Sequence, residues 1–212
     1  MVLEWKYLLQ LLRKNILYRI VIIVLFAIFL LIVWSRGIDM ASHSFIFKFP
    51  RKMEEMTFYQ LLFHNIMPIL VYFGATLLGS DVFPIMISEQ SIWIKIRNRG
   101  SFTLLLLYYT SILIYSLLII GFVNGIHIVY FHHLLSVTES TIGILFILFL
   151  QQILSVGYLS DITFSGYIFL IFFLICLATT PAISPFQLWI ALIGNVALIG
   201  INPLLLKNKE YL

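Results

Sequence analysis

Charge is what this sequence has least of. Lysine, arginine, aspartate and glutamate make up 10% of its 212 residues, against about 25% in a soluble globular domain, while 62% are hydrophobic against roughly 45–50%. No soluble core of this size absorbs such a surplus, and the apolar residues run in blocks of about 20 rather than at amphipathic spacing. The expected solvent is lipid. Cysteine is nearly absent as well: the single Cys176 lies inside an apolar block, which excludes an intrachain disulfide framework and an intrachain cysteine metal site. No G-x-x-x-x-G-K-[ST] occurs, so the chain has no P-loop of its own for nucleotide phosphates, and no H-E-x-x-H or G-x-S-x-G occurs, which removes the usual zinc-protease and serine-hydrolase readings. No catalytic, cofactor-binding or metal-ligating residue is therefore assigned.

The isolated polar groups that remain do not restore an enzyme. Glu54 and Glu55 are adjacent, but they fall in a charged connection with no suitable histidines beside them. His127, His132 and His133 cluster near one end of an apolar block, where hydrated surface is expected rather than a metal site.

What is present is a set of six apolar blocks: Ile16 to Trp34, Tyr59 to Gly79, Phe102 to Asn124, Thr141 to Leu159, Phe164 to Thr180 and Pro185 to Leu206. Each is long enough to cross a hydrocarbon core of roughly 30 Å at about 1.5 Å per residue, the fifth only just. The expected fold is an all-α polytopic membrane protein, a single transmembrane domain over residues 1–212. The fourth and fifth blocks are separated only by Tyr158 to Thr163, read as a tight turn around Ser160 and Asp161. The first block follows a basic segment as a signal peptide would, yet it is longer than an h-region of about 7 to 15 residues and ends in Trp34, Ser35 and Arg36 without a small-residue cleavage site. It is read as a retained helix.

Lysine and arginine resist translocation, so their distribution sets orientation. With the N-terminus inside, Lys6, Arg13, Lys14, Arg19, Lys95, Arg97, Arg99, Lys207 and Lys209 are cytoplasmic, whereas Arg36, Lys48, Arg51 and Lys52 share one external connection with Asp39, Glu54 and Glu55. Both termini are expected inside. The net charge of +4 follows from this clustering at span ends and does not point to nucleic acid.

Two segments are not simple spans. Over residues 1–14, Lys6, Gln10, Arg13 and Lys14 fall on one helical face and Trp5, Leu8, Leu9 and Leu12 on another, as in a helix lying in the headgroup layer. Such a helix is either a surface anchor or an anchor that also touches a cytoplasmic partner. Residues 84–99 are too polar to span and too apolar for an ordinary solvated loop. Ser88, Glu89, Gln90 and Ser91 suit a helix N-terminus, whereas Ile92, Ile94 and Ile96 alternate with Trp93, Lys95 and Arg97 as in an extended piece. Both conformations stay open, as does the bland reading of a positive-inside signal.

An amphipathic N-terminal helix, six spans with both ends inside, a cytoplasmic segment carrying Glu89 and then basic residues between spans two and three, and a minimal turn between spans four and five resemble the type-2 ATP-binding cassette (ABC) exporter permeases. The likeness is of architecture over nearly the whole chain, and the size and the Arg97-Asn98-Arg99 run look most like small bacterial permeases of peptide-export or self-immunity operons. The resemblance implies a bacterial cytoplasmic membrane and a separate ABC ATPase that holds ATP and Mg. It also implies pairing with a second copy or a similar permease, and a coupling helix at Ile87 to Lys95. There Glu89 would enter a groove of the ATPase, with Ile87, Ser88, Gln90, Ile92, Trp93 and Lys95 around it. Many members have re-entrant helices before the last span; here only Thr180 to Phe186 is free for one.

Polar residues inside spans need partners away from lipid. Gln151 and Gln152 in the fourth span and Asn195 in the sixth are read as helix-packing amides, with a substrate path as the alternative. Asp81, near a span end, needs a basic partner, and Arg97 or Arg99 is expected to supply it. Tyr108, Tyr109, Tyr115, Phe169, Phe172 and Phe173 either line a cavity for a peptide, lipid-like or other amphipathic substrate or face lipid. The rivals are a non-transporting membrane subunit of the immunity, receptor or assembly kind, and an intramembrane enzyme, for which no paired acid, base or metal set is found. A secondary transporter would normally carry ionisable residues near the bilayer midplane, and no span has a carboxylate at its centre.

Overall fold

The computed structural model describes residues 10, 13, 15–35, 46–49, 57–87, 101–132, 134–160, 162–179 and 184–210. Among these the secondary structure is helical, with no strand. The helices are α1 (Ile16–Ser35), α2 (Phe58–His64), α3 (Ile66–Gly79), α4 (Ser101–Phe131), α5 (Val137–Leu159), α6 (Thr163–Thr179) and α7 (Ser184–Glu210). Helix is what lipid imposes on apolar blocks, because each N–H and C=O then finds its partner within the segment. Among the described residues three stretches, Thr103–Val129, Val137–Leu159 and Phe186–Leu205, are long and apolar enough to cross a membrane. Ile16–Ile28, Ile66–Gly79 and Phe164–Thr179 are shorter apolar helices.

The second apolar block, expected as one span, is divided at Asn65 (φ −96°, ψ 12°) into α2 and α3. Pro68 accounts for the break. It has no N–H to offer the carbonyl four residues back, at His64, and its ring is most easily accommodated in the first turn of a helix, which is where α3 carries it. The Asn65 amide then donates across the bundle to the Ala178 carbonyl of α6 at 2.7 Å.

The long α4 runs past its expected end near Asn124 to Phe131 and stops at His132, whose φ of 60° and N–H bond to Ile128 at 2.8 Å make a left-handed cap. Asn124 holds the next connection, accepting the Leu135 N–H at 3.0 Å. Ser136 then caps α5 by accepting from the Glu139 N–H at 3.2 Å.

The expected turn between the fourth and fifth spans is a hairpin of α5 and α6. Ser160 and Ile162 N–H groups bond back to Val156 and Gly157, both at 2.9 Å. Glycine allows the close crossing: a Cβ on Gly157 would stand 3.2 Å from the Gly166 Cα, tighter than ordinary van der Waals contact, and 3.4 Å from the Ile162 oxygen.

α5 is the central post, packed by α3, α4, α6 and α7. It buries 72% of its apolar window, against 28% for α4 and 22% for α7, so those two helices offer most of their circumference to lipid or to another membrane chain. The main core joins Phe146, Ile147, Leu150 and Leu154 of α5 to Val71 and Tyr72 of α3 and Leu170 and Leu174 of α6. A second cluster at the Leu159 end gathers Val82, Phe83, Met86 and Ile87 against Leu104, Tyr108 and Ile112 of α4. α1 packs chiefly on α3 and exposes Leu17, Val21 and Leu25.

Candidate functional site

The polar side chains of the bundle gather at three levels along α5. At the middle level, Gln151 and Gln152 leave the helix in different directions because successive residues are about 100° apart. The Gln151 amide donates to the Thr76 carbonyl of α3 at 3.1 Å. The Gln152 amide donates to Asn195 Oδ1 of α7 at 2.6 Å, and Asn195 donates in turn to the Leu145 and Ala191 carbonyls at 2.9 and 2.7 Å. Tyrosines complete the layer. Tyr108 donates to Ser155 at 2.6 Å, Tyr115 donates to the Ala75 carbonyl, and Asn202 donates to Tyr109 at 3.2 Å. Apart from the Asn195–Ala191 bond within α7, these bonds cross between helices, so the three amides bridge α5 to its neighbours on opposite sides. The side-chain oxygens of Gln151, Gln152 and Asn202 are buried without a protein partner.

At the Leu159 end, Asp81 follows directly on α3. The carboxylate binds Arg19 of α1 at 2.7 Å through Oδ1 and accepts from the Asn15 amide at 2.7 Å through Oδ2. Arg19 also donates to the Leu78 carbonyl at 3.3 Å. An ion pair is thus supplied by α1, which packs on α3 and places Arg19, one turn into its helix, beside the end of α3 at a separation of 62 residues; Arg97 and Arg99, the expected partners, lie outside the described residues.

At the Val137 end, a stretch of the connection between α1 and α2 folds back into the bundle. Ile46, Phe47 and Phe49 are buried and Lys48 is half-buried. Glu139 Oε1 accepts the Ile46 N–H at 2.7 Å and the Phe47 N–H at 3.2 Å. Gln187 of α7 closes a two-point bond with Phe49, accepting its N–H at 3.3 Å and donating to its carbonyl at 2.7 Å. The Tyr72 hydroxyl donates to the Phe47 carbonyl at 2.5 Å. Two rings flank Tyr72: Phe49 is stacked at 6.0 Å between centroids and Phe47 tilted at 6.0 Å. Gly143 leaves the hollow that takes Phe47, since a Cβ there would stand 2.9 Å from the phenylalanine ring.

Of the residues assigned to the coupling segment, Ile87 alone is described, and it is fully buried in the second cluster, facing the bundle rather than a partner. Ser88, Glu89, Gln90, Ile92, Trp93 and Lys95 lie outside the described residues. So do Trp5, Lys6 and Lys14 of the interface helix, while Arg13 is exposed. His127 departs from the hydrated surface expected of it: it is 2% exposed, its ring 4.7 Å from that of Phe131, because α4 continues as a packed helix beyond Asn124. His132 is exposed, and among the described residues no group of histidine, cysteine or acidic side chains is arranged to hold a metal ion. Phe169 and Phe172 line an open apolar cavity of about 550 Å³ with Ile153, Ile168 and Leu198, whereas Phe173 packs edge-on against Phe149.

Sequence reasoning missed Tyr72, Glu139 and Gln187. A signal for one of them was present, because Ser136-x-x-Glu139 is a helix-capping pattern. The hydroxyl fulfils its half of that pattern; the carboxylate is released to cap a different segment. Comparison with family models, curated proteins and solved structures finds no match to this chain.

Proposed function

We propose that the chain is the transmembrane permease subunit of an ABC exporter in a bacterial cytoplasmic membrane. Its six apolar helical segments would cross the bilayer with both termini cytoplasmic, α2 and α3 together forming the second span. It pairs with a second copy or a similar permease and takes its energy from a separate cytoplasmic ATPase that binds ATP and Mg. The substrate is a peptide, lipid-like or other amphipathic molecule.

The observation that carries the reading is the anchorage of the segment that follows α3. A turn closed by the Val82 N–H on Gly79 at 3.0 Å leads into a helical turn at 83–87, and Phe83, Met86 and Ile87 are sunk among α4 side chains and Leu159. A push on the residues immediately after Ile87 is therefore delivered to α3, α4 and α5 together, because close-packed side chains transmit displacement instead of absorbing it. The Arg19–Asp81 pair extends the same load path to α1. In this reading Glu89 makes the polar contact with the ATPase groove, and Ile92 and Trp93 dock against its rim.

The test is affinity capture in mild detergent of the wild type and of the Glu89→Lys, Trp93→Ala double variant, followed by identification of the co-purifying chains. A soluble ATPase held by the wild type and lost from the variant supports the permease. An intact membrane protein that captures no ATPase in either form overturns it in favour of a non-transporting membrane subunit.

A further inference from the structure

The grip on Ile46–Phe49 has the character of a ligand site. All five hydrogen bonds from Tyr72, Glu139 and Gln187 go to main-chain groups, namely the N–H groups of Ile46, Phe47 and Phe49 and the carbonyls of Phe47 and Phe49. The three side chains are each at most 4% exposed and come from three different helices. The remaining contacts are apolar and read two aromatic rings spaced two residues apart, one stacked on Tyr72 and one seated in the hollow at Gly143. Lys48, between the rings, is held by none of these bonds, and its charge lies close enough to act on Glu139. The segment is bent at Ile46–Lys48, which lets two successive N–H groups converge on one carboxylate oxygen; main-chain bonds for affinity with side-chain pockets for specificity are a general means of recognising a peptide segment. Nothing in this set of contacts requires the peptide to be covalently part of the chain.

Burying a carboxylate inside an apolar bundle is costly unless it is hydrogen-bonded. Any buried connection needs its N–H and C=O groups paired, and most obtain this from other main chain; among the described residues here, every such bond comes from a side chain of the bundle. A carboxylate that caps two successive N–H groups, beside an amide that binds both faces of a third residue, selects a peptide backbone.

We propose that Tyr72, Glu139, Gln187 and the hollow at Gly143 form a binding site for a peptide segment of the pattern aromatic–x–aromatic, and that Ile46–Phe49 is its resident occupant in this state. Withdrawal of the resident strap opens the site to a second peptide of the same pattern, so the strap is both plug and template. On the topology proposed above the site opens toward the external face. Calling that peptide a transported substrate rests on the permease reading; its binding does not.

The experiment uses the full chain, purified in detergent, and a fluorescent acetyl-Ile-Phe-Lys-Phe-amide as probe. A tethered occupant competes at an effective concentration on the order of mM, so the wild type should exclude the probe at micromolar levels. A Phe47→Ala, Phe49→Ala variant should bind it saturably and at least about tenfold more tightly, by the factor that removes such a competitor. Adding Gln187→Leu should abolish that gain, and acetyl-Ile-Ala-Lys-Ala-amide should not bind. A monodisperse strap variant that binds no better than wild type, or binding indifferent to Gln187→Leu, overturns the proposal.

A second measurement leaves the strap's main-chain bonds and rings in place. In a Cys176→Ser background, Lys48→Cys should react with a water-soluble maleimide several-fold faster when the unlabelled tetrapeptide is present in excess, because displacement exposes the strap. An unchanged rate overturns the proposal even where the double variant fails to fold. Neither measurement needs an ATPase. Peptide binding without ATPase capture therefore removes transport and keeps the site, and ATPase capture without peptide binding does the reverse.

Discussion

Removing Asp81 should cost more stability than removing Arg19, although the two residues share one ion pair. At 2.7 Å the gross attraction of the pair is about 6 kcal/mol for an effective dielectric constant near 20. Desolvation offsets much of this, and the partial exposure of Asp81 (32%, against 10% for Arg19) places the net coupling between the surface range of about 0–1 kcal/mol and the roughly 3–5 kcal/mol of a fully buried pair. About 1–3 kcal/mol is expected. The difference in exposure makes the two deletions unequal. Asp81→Ala leaves a more deeply buried guanidinium that keeps the Leu78 carbonyl but loses the Asp81 carboxylate. Arg19→Ala leaves a carboxylate that keeps the Asn15 amide and already touches solvent. Asp81→Asn, which still offers an oxygen acceptor, should fall between wild type and Asp81→Ala. The assay is a double-mutant cycle on Arg19→Ala and Asp81→Ala, read as thermal unfolding of the purified chain in one detergent. Additivity of the two single effects to within about 0.5 kcal/mol would refute the coupling, since that is the behaviour of residues that do not interact.

Other consequences follow from packing and can be read by the same unfolding measurement. Gly194→Ala should destabilise, because a Cβ there falls within the van der Waals envelope of the Phe149 ring, whereas Gly200→Ala, with open space around it, should be neutral or stabilising by up to about 1 kcal/mol; equal effects would contradict the packing of α7 on α5. Gly157→Leu should open the hairpin against Gly166 and cost about 1–3 kcal/mol, visible as loss of cooperative unfolding. Gln152→Leu alone should be worse than Gln152→Leu combined with Asn195→Leu, because the single change strands the Asn195 oxygen that accepts its amide while the double change removes both polar groups. The expected difference is about 0.5–2 kcal/mol, and a double variant less stable than the single would refute it.

Much of the helical frame was legible because lipid leaves the backbone a single local option. The block from Ile16 predicts the start of α1, and the edges of α5 and α6 fall within a few residues of the sequence reading. The failures have local causes that a window of apolar residues does not register. Pro68 divides the second block, and α4 continues two turns beyond Asn124 before the left-handed cap at His132 stops it. Side-chain partners were legible only as needs. A lone Asp81 called for a cation, and sequence proximity suggested Arg97 or Arg99, which lie outside the described residues; that Arg19 binds it depended on α1 lying against α3, which no local window registers. Glu139 was the least legible of all, since its partners lie 92 and 93 residues away in a connection whose lysines and glutamates read as solvated.

The three polar levels also divide the bundle into parts that are fixed and parts that are less so. α5 is tied at its middle to α3 through Gln151 and to α7 through Gln152, and the Gly157–Gly166 crossing holds α6 against it. Moving α3 or α7 relative to α5 would strand amides in a nonpolar core, at a cost of about 1–3 kcal/mol for each unsatisfied group. The two ends are built differently. At one, the binding partner is a strap from a connection, whose main-chain groups could be satisfied equally by water on withdrawal. At the other, α1 is held through an ion pair whose acid already touches solvent. Conformational change is therefore expected to leave the α3–α5–α7 amide layer intact and to act at the Asp81 and Glu139 levels. This predicts that cross-linking Gln152 to Asn195, as a cysteine pair in a Cys176→Ser background, leaves peptide binding by the strap variant unchanged. Cross-linking Phe47 to Gly143 in the Cys176→Ser, Lys48→Cys chain should instead prevent the peptide from accelerating labelling at position 48.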